Sequence, residues 1–152
     1  MKKNKFKLNN KSLYNKFLGV LIKKGNKKKA KKILNSSLSK VLKRIKIKKF
    51  RLNKILLVIF SKLNCFVEIR KIQRRKSTHL IPFPVKVERR IYLAIKWILF
   101  SIKKNRLKIP LADKLAVEIL KIMLGKNCQS IKEKESNLAQ ALKNKSNVHF
   151  RW

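Results

Sequence analysis

The sequence predicts a mainly α-helical protein, a six-helix-type bundle with a protruding β-hairpin and a basic N-terminal arm. Three observations predict it. Apolar residues recur at helical spacing through most of the 152 residues. That period gives way to alternation once, between about residues 66 and 87. Residues 1–11 are basic and have no periodic apolar face. The expected core helices are about 12–24, 26–45, 52–63, 88–104, 110–124 and 130–146. The expected domains are an arm, 1–11, and one helical domain, 12–152, extended by the hairpin 66–87; the length suits a single domain.

Each element has its own signal. Ser12 is placed to cap the first helix, whose inner face is Leu13, Phe17, Val20 and Leu21, and Gly25 is placed to end it. Asn26 can cap the second, in which Ala30, Ile33, Leu34, Leu38, Val41, Leu42 and Ile45 form a stripe among lysines. The basic stretch 46–51 leads to a third helix built on Leu52, Ile55, Leu56, Ile59, Phe60 and Leu63. Val67–Ile72 and Ile81–Val87 then alternate, on either side of Gln73–Thr78, as two strands with a basic tip. Pro82 and Pro84 cannot donate ladder hydrogen bonds, so the second strand is expected to have a free edge. A two-stranded ribbon is marginal alone, so it is expected to project from the helices and be steadied by a partner. In the fourth helix Ile91, Ala94, Ile95, Ile98, Leu99 and Ile102 form the stripe, and Leu93, Trp97 and Phe100 make it apolar nearly all round, as for a central helix. Pro110 opens the fifth helix, with Ala112, Leu115, Ala116, Ile119, Ile122 and Met123 inside and Gly125 closing it. Ser130 and Glu133 read as a capping box for a final polar helix with Ile131, Leu138, Ala141 and Leu142 as its apolar contacts.

Charge narrows the function. Lys and Arg number 43 against 6 Asp and Glu, a formal net charge of +37. Repulsion of that size opposes a compact state, and a polyanion that binds the folded form offsets it. Nucleic acid, an anionic membrane surface and an acidic protein all supply such charge. The apolar stripes recur on successive helices, which lets them bury one another rather than a lipid surface. The longest apolar run, Ile55–Phe60, is far short of the ~20 residues that span a bilayer. No nucleophile–base pairing is legible among six scattered carboxylates and the distant His79 and His149, so no enzyme, no small-molecule substrate and no cofactor is expected. Cys65 and Cys128 lack metal-ligand spacing and are expected as buried thiols, with no metal.

The hairpin tip is the sharpest local signal. Arg70, Lys71, Arg74, Arg75 and Lys76, with the hydroxyls of Ser77 and Thr78, suit phosphate and groove contacts. The alternative is a charged turn that protects a sheet edge. Phe66, Tyr92, Trp97 and Phe100 read as core rather than as stacking platforms. For Phe150 and Trp152, beside His149 and Arg151, base stacking and a simple packed end stay equally open.

The ordered motifs resemble the bacterial-type family of ribosomal protein seven of the small subunit. Lys16-Phe17, then Gly25-Asn26-Lys27-Lys28 before an Ala30-led helix, resembles that family's first helix pair. Val67-Glu68-Ile69-Arg70, Ser77-Thr78, Ile81-Pro82, Arg89-Arg90 and Leu93-Ala94-Ile95-Lys96-Trp97 track its V-E-V-K, S-T, V-P, R-R and L-A-M-R-W signatures. Leu115-Ala116-Val117-Glu118 is similar to its L-A-N-E, and His149-Phe150-Arg151-Trp152 to its closing H-Y-R-W. The resemblance covers about residues 13–152. Three departures stand out. Arg75 and Lys76 occupy the place of a usual glycine pair, Pro84 replaces a strand glutamate, and the chain stops at Trp152, where many bacterial relatives continue in a tail near tRNA.

The resemblance implies a structural protein that binds the 3′ (head) domain of small-subunit ribosomal RNA and nucleates head assembly. It implies a hairpin near the tRNA exit site and the mRNA exit path, and ribosomal protein eleven as a neighbour. The RNA-facing residues expected on that basis are Lys2, Lys3, Lys5, Lys27, Lys28, Lys29, Arg70, Lys71, Arg89, Arg90, Lys96, Lys143, Lys145, His149, Arg151 and Trp152. The tip residues expected near tRNA and mRNA are Arg74, Arg75, Lys76, Ser77 and Thr78. A general packaging protein of organellar nucleic acid is the alternative; it fits the charge but not the ordered motifs. Heavy use of Lys, Ile and Asn, as in A+T-rich coding, and the absence of a presequence point to synthesis in a mitochondrion, with a plastid or bacterial cytoplasm as alternatives.

Overall fold

The computed structural model describes residues 10–45, 52–74, 76–125 and 128–151. Six α-helices form the body: α1 Asn10–Leu21, α2 Lys27–Ile45, α3 Leu52–Leu63, α4 Val87–Lys104, α5 Leu111–Leu124 and α6 Gln129–Lys143. Strands β1 Val67–Arg74 and β2 Ser77–Pro84 pair antiparallel between α3 and α4, and a 3-10 helix, Lys145–Arg151, follows α6. No helix among the described residues is long and apolar enough to cross a membrane.

The predicted stripes bury one another. Leu13, Phe17, Leu34, Leu38, Ile55, Leu56, Ile59, Leu63, Ile95, Ile98, Leu115, Ile119 and Ile122 are fully inaccessible to solvent and share one core. Helix α4 packs on α1, α3, α5 and α6, which makes it the central element, and α2 packs on α5. Cys65 and Cys128 are both buried, as free thiols.

The helix ends differ from the sequence reading, and each difference has a local cause. Helix α1 starts at Asn10, so Ser12 lies in its first turn rather than capping it. It ends at Leu21, three residues early, because Lys24 and Gly25 both take left-handed backbone (φ 49° and 72°). Such residues cannot continue a right-handed helix; they reverse the chain into α2, with the amide of Asn26 bonded to Lys23 O at 3.1 Å. Pro110 precedes α5 rather than opening it, while Gly125 closes it in left-handed geometry (φ 69°) as expected. Helix α6 stops at Lys143, not 146, because the chain tightens into the 3-10 helix after Asn144.

The expected capping box at Ser130 and Glu133 is absent. Cys128 holds the cap position, and Ser130 lies one residue inside α6, completely buried. Its hydroxyl donates to Glu118 Oε1 at 2.6 Å, and its amide donates to the same oxygen at 3.3 Å. The carboxylate that serves the first turn of α6 therefore comes from α5, where negative charge suits the positive helix end. Glu133 instead accepts from Gln129 Nε2 at 2.6 Å.

Three aromatics expected in the core are exposed: Phe66, Tyr92 and Phe100. Tyr92, Lys96, Phe100 and Lys103 fall at i, i+4, i+8 and i+11 of α4, which is its solvent face. Trp97, also expected in the core, is half-buried. Leu142 is 71% exposed, one position round α6 from buried Ala141.

The base of the hairpin is braced from within. Asn147 Nδ2 donates to Leu80 O (3.2 Å), and Arg151 donates to Pro82 O from Nε (2.8 Å) and Nη2 (2.5 Å). The 3-10 helix thus covers the open edge of β2. On the β1 side, Asn137 Nδ2 donates to Val67 O at 2.7 Å. Only the distal half projects.

Candidate nucleic-acid interface

Strands β1 and β2 and helix α4 converge on a single carboxylate. Glu68 faces Phe83 across the ladder and receives Arg89 in a forked pair, from Nε at 3.1 Å and Nη2 at 2.6 Å. Arg70 lies 3.7 Å from its other side. The Glu68 side chain is only 13% exposed, whereas the Arg89 and Arg70 side chains are 44% and 53% exposed. The hydrogen bonds from Arg89 hold the Glu68 carboxyl below its usual range. Burial opposes that shift, and the charges of Arg89, Arg70 and Lys96 reinforce it. Three cations around one carboxylate leave net positive charge facing solvent, with the Arg89 fork fixed in direction.

Aromatic rings hold the guanidinium planes. Arg89 lies 4.9 Å over Tyr92, Arg90 lies 4.3 Å over Phe66, and Arg70 and Arg151 lie 5.1 and 5.7 Å from Phe83. Arg90 Nε also donates to Val85 O at 2.8 Å. Tyr92 and Phe66 therefore remain exposed because each carries an arginine on one face. Sequence periodicity missed the pairs of Arg90 with Phe66 and of Arg70 and Arg151 with Phe83, since each is made by chain segments meeting in three dimensions. Arg89 and Tyr92 stand three apart on α4, a helical spacing that was an available signal for their pair.

The other expected residues fall in three places. Lys27, Lys28 and Lys29 are exposed in the first turn of α2, which contains no acidic residue. Cations at the positive end of a helix repel it, so this turn is poorly matched to itself and well matched to an anion. Lys23, Lys24, Lys29 and Lys103 rim an apolar cleft of about 390 Å³ between α1, α2, α4 and α5. Lys71, Lys76, Ser77 and Thr78 are exposed on the distal hairpin, whose strands close at the Arg74–Ser77 pair. Lys143, Lys145 and His149 are exposed near the chain end. Phe150 stacks on His79 at 4.6 Å between ring centres, so it and Arg151 pack against the hairpin. Lys2, Lys3, Lys5, Arg75, Trp152 and the side chain of Arg74 lie outside the described residues.

Some lysines serve the fold itself. Lys62 Nζ donates to Met123 O at the end of α5, Lys134 Nζ to Lys62 O near the end of α3, and Lys114 Nζ to Asn105 O beyond α4. Each places a cation at the negative end of a helix. Two further ion pairs tie helices together, Lys16 with Glu88 and Lys40 with Asp113. No group of three or more metal-ligating side chains occurs among the described residues.

Comparison with known proteins matches residues 1–145 to the family model described as Ribosomal protein S7p/S5e. Small ribosomal subunit protein uS7 of Wigglesworthia glossinidia brevipalpis is 30% identical over 147 residues, covering 94% of this chain and 88% of the relative. Its counterpart in Phytoplasma australiense is 32% identical over 148 residues, with the same two coverages, 94% and 88%. The uS7m protein of Drosophila melanogaster is 32% identical over 91 residues, covering 59% of this chain and 41% of the relative.

Proposed function

The chain belongs to the Ribosomal protein S7p/S5e family, and from that premise we propose that it is a structural, non-catalytic constituent of the small ribosomal subunit. It binds the 3′ (head) domain of the subunit's ribosomal RNA, nucleates head assembly, and sets its basic hairpin near the tRNA exit site and the mRNA exit path. Ribosomal protein eleven is its proposed neighbour.

The observation that carries this reading is the surface shared by the hairpin and α4, where Arg70, Arg89 and Arg90 are oriented by Glu68, Phe83, Tyr92 and Phe66. Fixed guanidinium forks suit phosphate oxygens, and shape-led recognition of folded RNA depends on phosphate and ribose contacts. The lysine turn of α2 and the distal hairpin extend the same chemistry to other RNA segments. Lys, Ile and Asn usage favours a mitochondrial ribosome, and the mitochondrial relative agrees with it. The bacterial relatives support the bacterial cytoplasm as the alternative.

Competition binding tests the reading. The full chain is expected to prefer head-domain RNA over duplex DNA of equal length, with an affinity that falls steeply as salt rises. Equal affinity for the two polymers would replace this reading with general packaging.

A further inference from the structure

Helices α3 and α4 part at their outer edges to leave a groove that no contact described above fills. Leu57 and Val58 face Val87 and Ile91 across it, and its volume is about 420 Å³, within the range of small-ligand sites. Its walls are apolar. One edge is polar, formed by Ser61, Asn64 and Arg90. Ser61 donates its hydroxyl proton to Val58 O at 2.8 Å, which leaves the oxygen free to accept. The Asn64 amide makes no hydrogen bond among the described residues. Arg90 is held in direction by Val85 O and by the Phe66 ring, and that ring is 60% exposed.

Building on the RNA-binding reading above, we propose that this groove receives one unpaired nucleobase of the RNA, stacked at its mouth beside the Arg90–Phe66 pair. Apolar walls suit the two faces of a flat ring. Ser61, Asn64 and Arg90 suit the donors and acceptors of its edge, and the surrounding positive charge suits the strand that carries it. An aliphatic side chain from a protein partner would satisfy the walls but leave the Asn64 amide and the outer N–H groups of Arg90 desolvated with nothing to bond, which is unfavourable. The lysine-rimmed cleft near α2 lacks both the polar edge with a planar cation and the exposed ring.

The test uses the full chain at one fixed salt concentration with three labelled RNAs: a 12-nucleotide unstructured single strand, the same strand with its central bases removed, and a 12-base-pair duplex. The wild type is expected to bind the intact strand about tenfold more tightly than the abasic one, the scale of one base stacked on a ring. Ser61→Leu and Asn64→Leu, on the polar edge of the groove, are expected to abolish that preference while changing duplex affinity less than twofold. Equal binding of intact and abasic strands by the wild type would overturn the groove proposal and needs no variant to fold. A parallel loss on all three RNAs in the variants would overturn it too, and no change on any would leave the groove to a protein side chain. Failure of the wild type to bind any of the three would instead overturn the RNA-binding reading.

Discussion

At the scale of single residues, Glu68 is the one carboxylate the basic surface is organised around. It lies on β1, takes both N–H groups of the Arg89 fork from α4, and is mostly shielded from water. Its carboxyl is therefore held below the usual range. A carboxyl whose pKa falls on folding stabilises fully above its unfolded value, about 4.3, and the stabilisation is lost as pH drops through the lower folded value. Glu68→Gln removes that increment. Because Arg89 is part-exposed, the loss is about 1 kcal/mol, or roughly 2–4 °C in melting temperature for a domain of this size. Thermal melts of the two proteins should differ most above about pH 4.3 and converge below it. A gap that stays constant into strong acid would sever the link to this carboxyl.

At the scale of elements, the hairpin is two structures in one. Its base is clamped, with Asn137 on Val67 and the 3-10 helix on β2 through Asn147 and Arg151. Its distal half carries exposed Lys71, Lys76, Ser77 and Thr78. Arg151→Ala removes both guanidinium bonds to Pro82 O, so hydrogen exchange should quicken in the base of β2 and the 3-10 helix. Replacing Arg74, Arg75 and Lys76 with Ala should leave exchange there unchanged. Equal effects from the two changes would mean that the hairpin opens as one unit. The strands were legible because alternation of Ile81, Phe83, Val85 and Val87 has a period of its own. The clamp was not, because no spacing in the chain joins Asn147 to Leu80 or Arg151 to Pro82, which lie 67 and 69 positions apart. Helix interiors were likewise legible from apolar spacing, while the end of α1 was set by backbone geometry at Lys24 and Gly25 and the first turn of α6 was served by Glu118 reaching from α5. The same limit hid the pairing of Phe66 with Arg90 and of Phe83 with Arg151, which no spacing in the chain joins, whereas Arg89 and Tyr92 stand three apart on α4.

At the scale of the whole molecule, the charge decides how the free chain and its complex respond to salt, and the two responses have opposite sign. Four ion pairs are formed among the described residues, against a net charge of +37. Repulsion between like charges therefore outweighs the attraction available inside the fold. Added salt shortens the screening length from about 30 Å at 0.01 M to about 10 Å at 0.1 M, which relieves long-range repulsion and leaves the close Arg89–Glu68 pair much less affected. The melting temperature of the free protein should rise across that range. RNA bound to the folded form should raise it further, by about 2.7 kcal/mol of stability at a hundredfold excess over Kd. That gain must shrink with salt, because neutralised phosphates recover their counterions; six to ten contacts cost about 10³–10⁵ in affinity between 50 and 200 mM. Melting curves with and without head-domain RNA should consequently approach one another as salt increases. A free protein that melts lower in added salt would mean that its internal ion pairs, and not its uncompensated lysines, dominate its electrostatics.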